Sequence, residues 1–325
     1  MKKILIAFLL FVATHSFSSS WARAQLVKAG LTSKTLFYLP FYVAQKKGLY
    51  SAEGLRVELI LIGRSDVQLQ AMVAGELHFA NFNPDGIILF NEKGGNLKVI
   101  AGTVNTAPYV LVGGKAYKKV EDLKGARVGV SGLRGGATSI LLAYLKSKKL
   151  EYPRDYSLAV VSGGTAARLS ALESGAIAAA VLGIPYSDIA IDQGFNRLGD
   201  TVEAIPSYQF NAVNINPAWA EKNRATVVKY LKAHIRSLRW IHEHPDQAAT
   251  FFTQEMGVKP PYAARGVDYF TKNKIFPVDG SVTLEGLRIN LEVQARDGLL
   301  KEPIPAAEKY VDPSYLKQAQ QELGL

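Results

Sequence analysis

The chain contains no cysteine. That excludes a disulfide framework, a thiolate metal site, a cysteine nucleophile and a lipid-anchored N-terminal cysteine. Histidines number five: His15, His78, His234, His242 and His244. His242-Glu-His244 is spaced i, i+2, which does not set two ligands on one helical face as His-Glu-x-x-His does. No Gly-x-Ser-x-Gly elbow occurs, and no Asp/Glu cluster suggests a paired-carboxylate site. Catalysis therefore gains little support, and no metal or cofactor is expected. No basic run of five or six residues occurs, and the aromatics do not alternate with a basic stripe, so nucleic-acid binding is not expected. Past the N-terminus no stretch approaches about 18 apolar residues, the length a membrane span needs.

What is present begins with a leader pattern. Lys2 and Lys3 are followed by the apolar run Ile4 to Ala13 and by Ala22-Arg23-Ala24, a small-x-small cleavage site. The run is too short to cross a bilayer. Residues 1–24 read as a signal peptide, with export to the periplasm and a mature chain from Gln25. Losing Lys2, Lys3 and Arg23 takes the formal charge from +10 to +7. A mild positive field attracts anionic ligands, and it also serves plain solubility.

Two stretches about 100 residues apart match. Leu69, Ala71, Gly75, Leu77 and Ala80 recur as Leu169, Ala171, Gly175, Ile177 and Ala180. Pro84 and Gly94 recur as Pro185 and Gly194. The spacing is too long for a solenoid. It points to two similar α/β lobes with a ligand cleft between them.

Strands are expected at Val27 to Leu31, Arg56 to Ile62, Leu77 to Phe82 and Leu97 to Gly102, with helices at Leu39 to Lys47, Val67 to Ala74 and Pro84 to Asn91. Asn83 is the expected N-cap of the last of these. Ser33 to Tyr38 reads as a loop. The plan repeats, with strands at Val128 to Ser131, Leu158 to Val161 and Ala178 to Leu182 and helices at Thr138 to Lys148, Ala166 to Ser174 and Tyr186 to Gln193. Such alternation predicts parallel sheets covered on both faces. Tyr109 to Val112 and Tyr208 to Val213 read as the two crossings between lobes. From Pro217 onward the pattern is mainly helical. The division is 1–24 leader, 25–110 first lobe, 111–207 second lobe, and 208–325 completing the first lobe with C-terminal helices.

In parallel α/β sheets ligands sit beyond the carboxyl ends of the strands, at helix N-termini. That selects five loops. They carry Ser33, Thr35, Asn81, Asn83, Thr138 and Thr165, with Gly135, Gly136, Gly163 and Gly164 exposing backbone donors. Such an array can solvate an anion. Each residue also has an ordinary use as a cap or turn. Lys34, Arg64 and Arg134 fall in three of the loops and could meet an anionic group. Phe37, Tyr38, Phe82 and Tyr186 lie nearby as candidate pocket walls. Asp85 and Asp188 stand in first turns of helices, where a carboxylate favours the dipole.

Leu39-Pro-Phe-Tyr-Val-Ala-Gln-Lys-Lys-Gly48, then Glu53-Gly-Leu-Arg-Val-Glu58, resembles the opening of periplasmic substrate-binding proteins of the nitrate/sulfonate/taurine (SsuA-like) transport family. Ala71-Met-Val-Ala-Gly75 and Asp122-Leu-Lys-Gly125-Ala-Arg-Val-Gly-Val130 resemble its later motifs, so the likeness covers roughly residues 27 to 245. Pyrimidine-precursor binders share that superfamily. The resemblance implies a type II periplasmic-binding-protein fold and a monomer that captures a small anionic or aromatic molecule. It also implies a partner ABC permease driven by a separate ATPase. The alternatives are an enzyme on the same scaffold, like the cytosolic pyrimidine-precursor synthases, or a soluble sensor.

Overall fold

The computed structural model describes residues 25–133 and 136–325 of the chain. The expected leader, Arg134 and Gly135 lie outside the described residues. Among the described residues there are ten strands: β1 (Gln25–Leu31), β2 (Leu55–Leu61), β3 (Phe79–Phe82), β4 (Lys98–Val104), β5 (Tyr109–Gly113), β6 (Arg127–Val130), β7 (Ser157–Val160), β8 (Ala179–Gly183), β9 (Asn196–Asp200) and β10 (Asn211–Ile215). They form two five-stranded sheets, ordered β2-β1-β3-β10-β4 and β7-β6-β8-β5-β9. The mixed α/β, two-lobe fold expected from the repeat is what the chain adopts.

The sheets are not wholly parallel, which corrects the sequence expectation. β10 runs antiparallel to β3 and β4, and β5 antiparallel to β8 and β9. The two stretches expected as crossings are largely these strands. The chain passes between sheets just before them, over 105–108 and 201–210. The direction follows from the crossings. β4 ends at the edge where the parallel strands finish, so a short link delivers β5 to the facing edge of the other sheet. From there β5 can only run backwards. β9 and β10 repeat the arrangement in reverse. The edge strand β9 was not expected, and Ser33 to Tyr38 ends in a short 3-10 helix, Leu36–Tyr38.

The repeat has a structural counterpart. The helices Ser65–Val73 and Gly164–Glu173 end in the same turn. Gly75 and Gly175 take φ of +78° and +73°. The Glu76 and Ala176 N–H groups donate to Ala71 and Ala171 carbonyls at 2.8 and 2.9 Å. Glycine reaches this left-handed conformation without Cβ strain. Leu77 and Ile177 then fill the space above Gly30 and Gly129, where any Cβ would collide with them.

The long helix Arg224–Glu243 covers the first sheet. Its Tyr230 stacks on Phe79 with ring centroids 3.9 Å apart, and buried His234 stacks on Phe41 at 4.9 Å. Burial pushes the His234 pKa down to about 4, so the ring is neutral at pH 7. Among the described residues no helix is long and apolar enough to cross a membrane.

Candidate ligand cleft between the sheets

The carboxyl ends of the parallel strands in the two sheets face each other across a cleft. The first sheet contributes Thr32, Ser33 and Tyr38 after β1, Gly63 to Asp66 after β2, and Phe82 and Asn83 at the end of β3. The second contributes Ser131, Gly132 and Gly136 after β6, and Gly164, Thr165 and Arg168 after β7. Tyr109 and Phe210, at the two crossings, form the back. The cleft, open to solvent on one side, has a volume of about 70 Å³, roughly half that of an apolar cavity known to take benzene, about 150 Å³.

The two sides are drawn close, and glycine permits it. A Cβ on Gly63 would lie 3.7 Å from the Gly163 nitrogen, and one on Gly164 would lie 3.0 Å from the Ser33 Cβ. A Cβ on Gly136 would stand 2.5 Å from the Asn83 Cγ, closer than atoms can pack.

At the cleft floor sits Arg168, only 2% exposed. Its Nε donates to the Val181 carbonyl at 3.1 Å and its Nη2 to the Thr165 hydroxyl at 3.2 Å. Among the described residues no carboxylate pairs with it. Burial lowers its pKa from the usual arginine value, and the neighbouring Tyr109 hydroxyl opposes that shift. Burial also pushes the Tyr109 phenol up to about 12, so Tyr109 stays neutral beside the cation. A buried guanidinium with neutral partners lacks its counter-charge. The first turn of the helix Gly164–Glu173 adds backbone donors beside it.

Of the residues singled out from the sequence, Ser33, Tyr38, Arg64, Phe82, Asn83, Gly136, Gly164 and Thr165 line the cleft. Others are placed elsewhere. Lys34 is exposed. Thr35 is buried with its hydroxyl 3.2 Å from that of Ser33, and Asn81 is tied to the Gly30 carbonyl at 3.1 Å. Thr138 donates to the Gly132 carbonyl at 2.7 Å, holding the loop rather than facing the opening. Phe37 packs behind Tyr109 and Phe210, with ring centroids 5.4 and 4.9 Å away. Gly163 lies at the lip, against Gly63. Tyr186 lines a separate groove with Val258 and Tyr262. Arg64 sits at the half-exposed rim and is already paired with Asp66 at 2.5 Å.

Sequence reasoning missed Arg168, Tyr109 and Phe210. A signal for Arg168 existed: it shares one helical face with Thr165, Leu169 and Leu172, all buried. An arginine on the apolar stripe of a helix needs a reason to be there.

Asp85 is more than a dipole partner. It is 3% exposed. Its carboxylate accepts from the Tyr208 hydroxyl at 2.8 Å and from the Asn290 amide at 2.7 Å, while its N–H donates to the Asn83 Oδ1 at 2.8 Å. Ser139 of the helix Gly136–Ser147 faces the same carboxylate. Burial, opposed by these hydrogen bonds, pushes its pKa up to about 6. Among the described residues no three His, Cys, Asp or Glu side chains gather as metal ligands.

Residues 37–248 match the family model described as NMT1/THI5 like, which is more than half of the chain. YtlA of Bacillus subtilis, whose name describes it as a binding protein without a ligand, is 24% identical over 227 residues. That alignment takes in 67% of this chain and 66% of YtlA, so the chain spans just under two thirds of that relative. Among solved structures, the periplasmic nitrate-binding protein NrtA from Synechocystis PCC 6803 superimposes with a TM-score of 0.79 at 16% identity, over 92% of this chain and 89% of that one. The alkanesulfonate-binding protein SsuA from Xanthomonas axonopodis pv. citri, solved with MOPS bound, gives 0.71 at 17% identity, over 87% and 97%. These likenesses establish the periplasmic-binding-protein fold.

Proposed function

The chain belongs to the NMT1/THI5-like family, and from that premise we propose that it is the exported solute-binding component of an ABC importer. It captures a small organic anion between its lobes and delivers it to a membrane permease powered by a separate ATPase. The first lobe is built on β1 to β4 and β10, the second on β5 to β9. The observation that carries this reading is Arg168, a cation that has no carboxylate partner among the described residues, at the floor of an inter-lobe cleft. A carboxylate or sulfonate there supplies the missing charge, in the two-pronged geometry that guanidinium favours. Tyr38, Phe82, Tyr109 and Phe210 give the body of the solute ring surfaces to rest on. Arg64 has its own carboxylate at the rim, so it steers rather than anchors. The binding role is further supported by the names of the relatives. His78, the histidine nearest a cleft strand in the sequence, accepts the Lys28 N–H at 2.9 Å, which occupies its Nδ1.

A thermal-shift screen of monoanionic and neutral compounds identifies the ligand, since a solute held only by the folded state raises the melting point. Calorimetry on Arg168→Gln then tests the anchor. The expected loss is about 2–5 kcal/mol of binding free energy, as for one half of a desolvated charge pair. Exclusive binding of neutral compounds, or a variant that binds as the parent does, overturns the reading.

A further inference from the structure

Beside the cleft floor, four parts of the chain meet at one carboxylate. Asp85 belongs to the first sheet's side, as does Asn83, which lines the cleft. Tyr208 comes from the return crossing and Asn290 from the C-terminal helix Leu284–Arg296. Gln209 ties the cluster together: its carbonyl accepts from the Asn83 amide at 3.3 Å, and its N–H donates to the Asn290 Oδ1 at 3.1 Å. All of these lie on the first sheet's side or on the crossing. The fourth part comes from the second sheet's side. The helix Gly136–Ser147 sets Gly136 against Asn83 and Ser139 against Asp85.

We propose that Asp85 and the hydrogen bonds around it form a latch between the lobes, engaged when the start of the helix Gly136–Ser147 lands on it, so that shutting the cleft takes up a proton. This rests on the two-lobe capture reading above. When the lobes part, that helix withdraws from Asn83 and Asp85, and water reaches the carboxylate. Hydration favours the ionised form. When they shut, the carboxylate loses water on that side. Tyr208 and Asn290 donate to it, yet burial outweighs them and raises its pKa to about 6. Tyr208 and Asp297 are the other titratable groups that face it, and Asp297 reinforces the rise. No cation among the described residues offsets it.

The sign follows from linkage. A carboxyl whose pKa is higher in the shut state favours that state at low pH, and the preference fades as pH rises through about 6. A rise of about two units from the ordinary value of 3.8 limits the effect to about a hundredfold in the closing equilibrium.

The absence of native cysteine makes the test direct. Gln70→Cys and Ser170→Cys, exposed residues on helices either side of the cleft, carry spin labels whose separation is measured without ligand from pH 7.5 to 4.5. In the otherwise unmodified protein the shut population grows several-fold as pH falls. Asp85→Asn, a neutral isostere, stays shut across the range and loses the pH dependence. Tyr208→Phe removes one donor to the carboxylate and moves the midpoint to higher pH. Circular dichroism checks that each variant is folded. If Asp85→Asn keeps the parent's pH profile, the latch is overturned while capture between lobes stands. A separation that never changes with pH in the parent also overturns the latch. If added ligand fails to change it as well, lobe closure falls with it.

Discussion

Arg168 sets function against stability at a single position. Burying a guanidinium with only neutral partners is unfavourable until an anion arrives. Replacing it with an apolar residue of similar length relieves that term in the empty protein. Arg168→Met is therefore expected to raise ligand-free stability by about 1–2 kcal/mol in urea unfolding while abolishing capture. A fall in stability would mean that the bonds to Val181 and Thr165 outweigh the buried charge. At this scale the sequence was only partly readable. Lys34 and Arg64 stand in loops, where cations catch the eye, but one is exposed and the other is paired. Arg168 hides inside a helix because most helical arginines are solvated, and only its place among Thr165, Leu169 and Leu172 marks it as turned inward. Phe210 and Tyr109 gave no signal, since which side of a crossing faces a cleft depends on the whole fold.

The elements were the most legible scale. Glycine turns after apolar helices have a local cause, so Gly75 and Gly175 announced the two related units. At both, a Cβ would meet no neighbour within 4 Å, so only the backbone conformation is at stake. Gly75→Ala and Gly175→Ala are each expected to destabilise the protein by about 1–2 kcal/mol, the strain of a left-handed alanine. Equilibrium denaturation of the two variants checks this, and unequal losses would show that the two turns are not mechanically equivalent. Strand direction was not legible. β5 and β10 are fully buried like the parallel strands beside them, β5 apolar throughout and β10 carrying Asn211 and Asn214 as β3 carries Asn81. Their orientation comes from where the chain arrives, which composition does not encode. β9, Asn196-Arg-Leu-Gly-Asp200, has no β-branched residue and lies at a sheet edge, so it carried no strand pattern.

For the whole molecule, capture between lobes implies a change of shape. Adding the ligand found by screening is expected to lower the radius of gyration in solution scattering, from a mixture of parted and shut forms to the shut form alone. An unchanged curve at saturation would indicate a cleft already closed in the free protein. The topology also orders the chain's assembly. The strands of the second sheet are contiguous, running from residue 109 to 200. The first sheet has a vacancy between β3 and β4 that only β10 fills, so it stays incomplete until residues 211–215 are available. A chain that emerges N-terminus first thus holds its opening strands unfinished while the middle stretch, 109–200, is already able to close on itself. The portion made first is the portion that folds last, and until the return strand arrives β3 and β4 keep unpaired edges that a holding chaperone, or another half-emerged copy, can occupy.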